Sequence, residues 1–459
     1  MQQNNRAKPF LIVYSTLAII VIISLLVPKD TWKRFTLNQV NLLADVEVKK
    51  EQRKKSTYKP KPDTKKQKEI VRDTIVANAE VAKLIRNDVA IEVNDTNQVN
   101  VGLDQFLEAL YKLSLDNKRK VRIGYFGDSM IEGDLITQTI RSILQNRYGG
   151  NGVGFIPITS VVAHFRQTVK AESNENWADI NFNNNKQKQI IGLSGHTFFA
   201  KNNAAVMLKP GGGKHLSSLY QLSLLTGKSE TGIDLTCNNK NYFASSPGLF
   251  NVINLSGDSS FAKATIAMNE SEVPLFGLAA ESRNGVILDN FSFRGTSGTE
   301  LMRLNSKMLR QVDSLRGYDL IVLHYGPNLL YADSIKNFTW YKSQLIKTIK
   351  HLKTAFPHTS ILIVSTADKS FKIEGEYRTG DGVEALLLAQ QEAAKKYNCA
   401  FYNLYEAMGG YNSMKTWAEK KPILAGNDYT HFNQSGSAKI GRLIANAILN
   451  QYEQKYPAK

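Results

Sequence analysis

Apolar positions along the chain fall into distinct regimes. From Leu103 they recur at 103, 106, 107, 110, 111 and 113, which is a helical period. Val121-Arg-Ile-Gly-Tyr-Phe126 then reads as a short strand running into Gly127-Asp-Ser129. Ile136, Ile140, Ile143 and Leu144 mark a helix over 136–148, broken by Gly149-Gly-Asn-Gly152. From about 160 to 282 the pattern changes. Gly, Asn, Ser and Thr dominate, and runs such as Ala205-Val-Met-Leu208, Leu249-Phe-Asn-Val-Ile253 and Ala264-Thr-Ile-Ala-Met268 predict short strands between turns. Such a stretch suits a β-sandwich, which takes about 100 residues. Afterwards strands are expected at 285–291, 319–325, 360–365 and 400–404, alternating with helices at 299–315, 340–355, 383–397 and 434–450. That alternation argues for a parallel sheet covered by helices on both faces. The expected architecture is one α/β domain in two parts, 100–165 and 284–459, interrupted by a β-rich insertion over 166–283.

The start of the chain differs from all of this. Pro9 to Pro28 carries no charge, and at 1.5 Å per residue it is about 30 Å long, enough to cross a hydrocarbon core. It reads as a transmembrane anchor between a tail at 1–8 and a basic linker over 29–99. The competing reading is a cleaved signal peptide, but no small-x-small site follows Ser24-Leu-Leu-Val-Pro-Lys29. Arg6 and Lys8 before the run are balanced by Lys29, Lys33 and Arg34 after it, so charge alone does not orient it.

Composition changes this picture little. Apolar residues are 42% and charged residues 22%, an ordinary globular balance. The net charge of +17 is concentrated: Lys49 to Lys68 holds ten Lys or Arg against Glu51 and Asp63. With Pro60 and Pro62 this is a self-repelling spacer, able to meet anionic lipid or an anionic wall polymer. No nucleic-acid module accompanies it, so nucleic acid is not expected as a partner. Cys237 and Cys399 form no C-x-x-C pair, which leaves zinc and disulfide-framework readings without support. No metal-ligand spacing is present, and no cofactor is expected.

Candidate chemistry sits at strand ends. Gly127-Asp-Ser129 lies between a strand and a helix, where parallel sheets bind ligands and helix N-termini favour an oxyanion. Taken alone it is also a turn with a helix cap. Asp428-Tyr-Thr-His431 lies in a polar loop before the last helix, and His431 alone of the seven histidines has Asp three residues before it. A nucleophilic serine needs a base, and the base needs a carboxylate that fixes its tautomer. Gly326-Pro-Asn328 and Phe293-Arg-Gly295 also follow strands. An Asn amide and a Gly N–H there suit an oxyanion, although each is equally a turn. His324 reads as a core residue. Glu132 and Asp134 read as dipole partners in a first helical turn, or as a carboxylate pair.

Taken in order, strand-Gly-Asp-Ser, strand-Gly, strand-Gly-x-Asn and Asp-x-x-His resemble the SGNH/GDSL hydrolases over most of 100–165 and 284–459. The resemblance implies a three-layer SGNH-type fold with Ser129 as nucleophile, His431 as general base and Asp428 as its orienter. The N–H groups of Ser129 and Gly295 and the Asn328 amide would form the oxyanion hole. Gly127-Asp-Ser-Met-Ile-Glu-Gly-Asp134, Gly152-Val-Gly-Phe-Ile-Pro157 and Ala407-Met-Gly-Gly-Tyr-Asn-Ser-Met-Lys-Thr-Trp417 look like bacterial peptidoglycan O-acetylesterases. Those enzymes also carry a β-sandwich, carbohydrate-module-like insertion and act outside the cytoplasmic membrane. Met130 stands where that subfamily often has His, and Leu329 where many members have Asp or Glu. These departures leave the triad intact and bear on the substrate. The expectation is a periplasmic, membrane-anchored serine esterase that removes O-acetyl groups from a cell-envelope polysaccharide. One alternative is an O-acetyltransferase fed by a membrane O-acyltransferase partner; another is a non-catalytic glycan-binding protein. Tyr411, Met414 and Trp417 are candidates to line an acceptor-sugar cleft or to pack in the core.

Overall fold

The strands that carry the site residues are buried on both faces, and this sets the architecture. The computed structural model describes residues 89–92 and 102–457. The central sheet is built from β1 (Ile91–Glu92), β2 (Lys120–Gly127), β3 (Gly285–Ser292), β4 (Leu320–His324), β5 (Ser360–Val364) and β6 (Ala400–Tyr402), in the order β1-β6-β5-β4-β2-β3. All pairs are parallel except β1 against β6. Alternate residues feed two cores. Val121, Ile123, Leu320 and Val322 pack with α1 (Asp104–Asp116), α2 (Thr137–Tyr148) and the later helix Gln434–Lys455. Phe126, Phe291, Ile321 and Leu323 pack on the other face with α3 (Ser306–Leu315), α4 (Thr339–Ala355) and α5 (Val383–Lys396). The result is the expected helix–sheet–helix sandwich.

The β-rich stretch folds as two larger antiparallel sheets and a small two-stranded one, Leu219–Tyr220 with Ser260–Phe261. One has the order Lys240–Ser246, Ser229–Cys237, Ala264–Met268, Ala204–Pro210, Val169–Ser173. The other has the order Asn251–Asn254, Ser223–Thr226, Leu275–Ala280, His196–Ala200, Trp177–Asn181. Val206, Leu208, Ile233, Phe198, Leu224 and Leu275 meet in a core of their own.

The structure departs from the sequence reading in several places. The strand Gly154–Ile156 pairs with Leu275–Ala280, so the β-rich sheets draw on chain ahead of residue 166. Ile91–Glu92, placed in the linker, extends the central sheet because Ile91 buries its side chain in the core. The helix expected over 299–315 is a 3₁₀ turn, Thr299–Arg303, then an extended Leu304, then α3 capped by the Asn305 side chain. The hairpin Ser370–Ile373/Glu376–Thr379 and the helices α6 (Leu404–Met408) and α7 (Ser413–Glu419) were not expected. The closing helix is α8 (Gln434–Lys455), one and a half turns longer than the sequence reading. Trp417 and Met414 are fully buried and belong to the core, whereas Tyr411 is exposed. The expected anchor at 9–28, the tail and most of the basic linker lie outside the described residues. Among the described residues no helix is long and apolar enough to cross a membrane.

Candidate active site

Parallel register brings three loops to one edge. Gly127 is level with Ser292 on β3 and with His324 on β4, so the chain leaves β2, β3 and β4 side by side at their carboxyl ends. Glycine is required at 127, because a Cβ there would lie 2.9 Å from both the His324 carbonyl and Ile131. After it Asp128 caps a 3₁₀ turn, Ser129–Asp134, by accepting from the Met130 N–H at 2.9 Å. Ser129 opens that turn, partly exposed.

The loop before α8 supplies its partner. Ser129 Oγ lies 2.9 Å from His431 Nε2, and His431 Nδ1 lies 2.6 Å from Asp428 Oδ2. Oδ1 of Asp428 also accepts the His431 and Thr430 backbone N–H groups, both at 3.0 Å. A carboxylate partner requires the proton on Nδ1, which leaves Nε2 free to accept the Ser129 hydroxyl proton. Partial burial pushes the Asp428 carboxyl up, but the bonds from His431 and Thr430 outweigh it and hold the group below its ordinary value. Residues 129, 428 and 431, identified from sequence, are thus brought together.

Asn328 also reaches this edge, with both amide hydrogens engaged. Nδ2 donates to Asp128 Oδ2 at 3.1 Å and to the Thr296 carbonyl at 2.9 Å. Gly295 lies on the exposed loop after β3 with φ of 79°, a conformation that favours glycine. Asp128 itself is fully buried, and burial pushes its carboxyl up to about 6, against the pull of the Met130 N–H and of His431.

Two neighbours were missed in the sequence. Lys369 Nζ donates to the Pro327 carbonyl at 3.1 Å, and both Asp428 and Asp128 attract its charge. Tyr377, on the unexpected hairpin, stacks on Tyr429 of the Asp428–His431 loop at 3.6 Å between ring centroids, and the Ser370 N–H donates to the Tyr429 carbonyl. An aromatic in a hairpin has no visible target in sequence.

The remaining candidates resolve differently. Asp134 is buried between Arg141, 2.7 Å away, and Arg166, 3.6 Å away, so Glu132 and Asp134 are no catalytic pair; Glu132 pairs with Arg294. His324 is buried against the Tyr125 hydroxyl, as a core residue. Both cysteines are buried free thiols. Among the described residues no cluster of His, Cys, Asp or Glu is placed to hold a metal.

No family model and no curated protein matches the chain. Among solved structures, a peptidoglycan O-acetylesterase aligns with a TM-score of 0.66 at 20% identity, covering 76% of this chain and 96% of that one. A lipase/acylhydrolase from Enterococcus faecalis aligns at 21% identity over 37% of this chain and 78% of that one, with a TM-score of only 0.28. An acetyl xylan esterase covers 36% of this chain and 81% of that one at 19% identity and a TM-score of 0.28. The alignment with the O-acetylesterase takes in both the α/β sheet and the β-rich insertion, so the chain shares the fold of that structure.

Proposed function

We propose that this chain is a carbohydrate O-acetyl esterase acting through Ser129, His431 and Asp428. The observation that carries this is the continuous pair of hydrogen bonds from Ser129 Oγ to His431 and from His431 to Asp428. Ser129 Oγ attacks the acetyl carbonyl carbon as its proton passes to His431 Nε2. The tetrahedral intermediate collapses, the ester C–O bond breaks, and the departing sugar oxygen takes that proton. Water then attacks acetyl-Ser129, giving its proton to His431. Acetate leaves and Oγ recovers the proton. Asp428 holds the imidazole in the tautomer this needs and balances its transient charge. The oxyanion is met by the Ser129 and Gly295 N–H groups, and by Asn328 once its longer bond, to Asp128, is released.

The substrate we infer is an O-acetylated cell-envelope polysaccharide, with peptidoglycan first. The fold shared with a peptidoglycan O-acetylesterase favours this, as does the uncharged run 9–28, read as an anchor that holds the enzyme outside the cytoplasmic membrane. The test is acetate release from O-acetylated peptidoglycan and from p-nitrophenyl acetate by the detergent-solubilised chain. Ser129→Ala should lower both rates by about 10³-fold or more. A variant that keeps the wild-type rate overturns the reading. Transfer of acetyl to an added glycan, in place of free acetate, would make the enzyme a transferase.

A further inference from the structure

A cavity of about 560 Å³ lies against the turn that follows Ser129. One wall is Glu132, Gly133 and Asp134, and the next is Ser292, Phe293 and Arg294, immediately before Gly295. Its lining also includes Ala171, Asp179, Asn181, Ser194 and His196 of the β-rich insertion. The cavity therefore joins the insertion to the candidate site by its own lining.

Its lining combines apolar side chains with fixed polar groups. The volume falls within the ~300–1,000 Å³ usual for small-ligand pockets, more than an acetyl group needs. The floor is apolar, with Phe155, Ile156 and Ile158. The insertion's wall is polar. His196 Nδ1 meets both carboxylate oxygens of Asp179, at 2.9 and 3.0 Å, and the ring lies parallel to Phe198 and against Phe293. Nδ1 therefore carries the proton, and Nε2 has no protein partner among the described residues. The two side chains stay 25% and 33% exposed, so they are held in place yet remain reachable. The Asn181 amide braces Asp179 at 3.2 Å. Beside them Ser194, also lining the cavity, is buried with no partner for its hydroxyl. An orphaned buried hydroxyl in a cavity wall is unusual, because a buried polar group that nothing satisfies loses its hydration without return.

We propose that this cavity is a glycosyl subsite, in which the Asp179–His196 pair and Ser194 grip the hydroxyl or amide groups of a neutral sugar unit next to the acetylated one. The inference rests on the polysaccharide reading above and makes the insertion half of the substrate cleft. It also assigns the insertion a position, beside the turn that follows Ser129 and the loop that carries Gly295.

Binding separates the subsite from the chemistry. The full-length Ser129→Ala chain in detergent is titrated calorimetrically with chitotetraose as a neutral glycan probe. We expect saturable binding, weakened at least tenfold by adding either Asp179→Ala or the cavity-filling Ala171→Trp, each with an unchanged melting temperature. In the Ser129-containing chain, the same substitutions should raise KM for O-acetylated glycan at least tenfold more than KM for p-nitrophenyl acetate. No binding, or binding indifferent to both substitutions, overturns the subsite. So does a cavity that holds an acyl chain: Ala171→Trp would then suppress p-nitrophenyl octanoate hydrolysis and spare chitotetraose. If ester hydrolysis is absent while binding persists and is lost in these variants, the esterase reading fails and the subsite stands.

Discussion

Replacing Asp128 by Asn should make the protein's stability depend on pH in a new way. The side chain is fully buried one residue before the nucleophile, and burial raises its folded pKa from 3.8 to about 6. A raised folded value means that the native state holds more protons than the unfolded one between those two pH values. The carboxyl's contribution is therefore most favourable below about pH 4 and is lost as pH rises through 6. About two pH units at 1.36 kcal/mol each make that loss ~3 kcal/mol by pH 7. Asn has no proton to lose, so the stability of Asp128→Asn minus that of wild type should climb by ~2 kcal/mol from pH 4, where the unfolded carboxyl is already half ionised, to pH 7.

The climb sits on a constant offset. The Asn oxygen can still accept the Met130 N–H, but its amide nitrogen would confront Asn328 Nδ2, donor to donor. That mismatch costs about 1–3 kcal/mol. The variant should thus be less stable than wild type at pH 4 and approach or pass it at pH 7. Urea unfolding followed by circular dichroism, every half unit from pH 4 to 8, measures both quantities. Groups remote from the substitution cancel in the difference. A difference that stays flat within about 0.5 kcal/mol would refute the buried, proton-retaining carboxyl.

Three other substitutions probe the surroundings. Asp134→Ala strands Arg141 and Arg166 in the interior and should cost about 3–5 kcal/mol of stability, read by calorimetry. Tyr377→Ala removes the ring stacked on Tyr429 and should lower kcat about tenfold at constant KM, by loosening the Asp428–His431 loop; a tenfold rise in KM would point to substrate contact instead. Asn328→Ala should lower kcat for acetyl esters about 10²-fold if the amide reaches the oxyanion, and leave it nearly unchanged if its bonds to Asp128 and Thr296 are purely structural.

The sheet was legible because its strands are buried on both faces, so Leu320–His324 and Ser360–Val364 stand out as apolar runs. The loops that follow such strands must gather at one edge, and this is why the sequence alone joins Gly-Asp-Ser to Gly-Pro-Asn. Periodicity failed where the backbone changes without a change in hydrophobic spacing. Met308, Leu309 and Val312 continue the helical repeat of Leu301 and Leu304, yet Leu304 is extended and Asn305 starts a new helix. The Asn-Ser pair at 305–306 was the available signal for a cap. The hairpin after β5 was likewise marked by Glu374-Gly375 between two alternating four-residue runs too short to weigh alone.

The Asp179–His196 pair belongs to a different class. In register Asp179 faces Phe198 and Asn181 faces His196, so the two side chains meet diagonally across antiparallel neighbours, 17 residues apart. That spacing is fixed by the length of the intervening loop, and no local rule connects its ends. The same holds for Ser129 and His431, 302 residues apart, but there fold topology supplied the link: strand ends of one sheet converge whatever lies between them. No comparable rule tells which edge of an inserted sandwich turns toward its host. The side chains on that edge therefore become visible as a site only once Phe293, just before Gly295, is seen against the ring of His196.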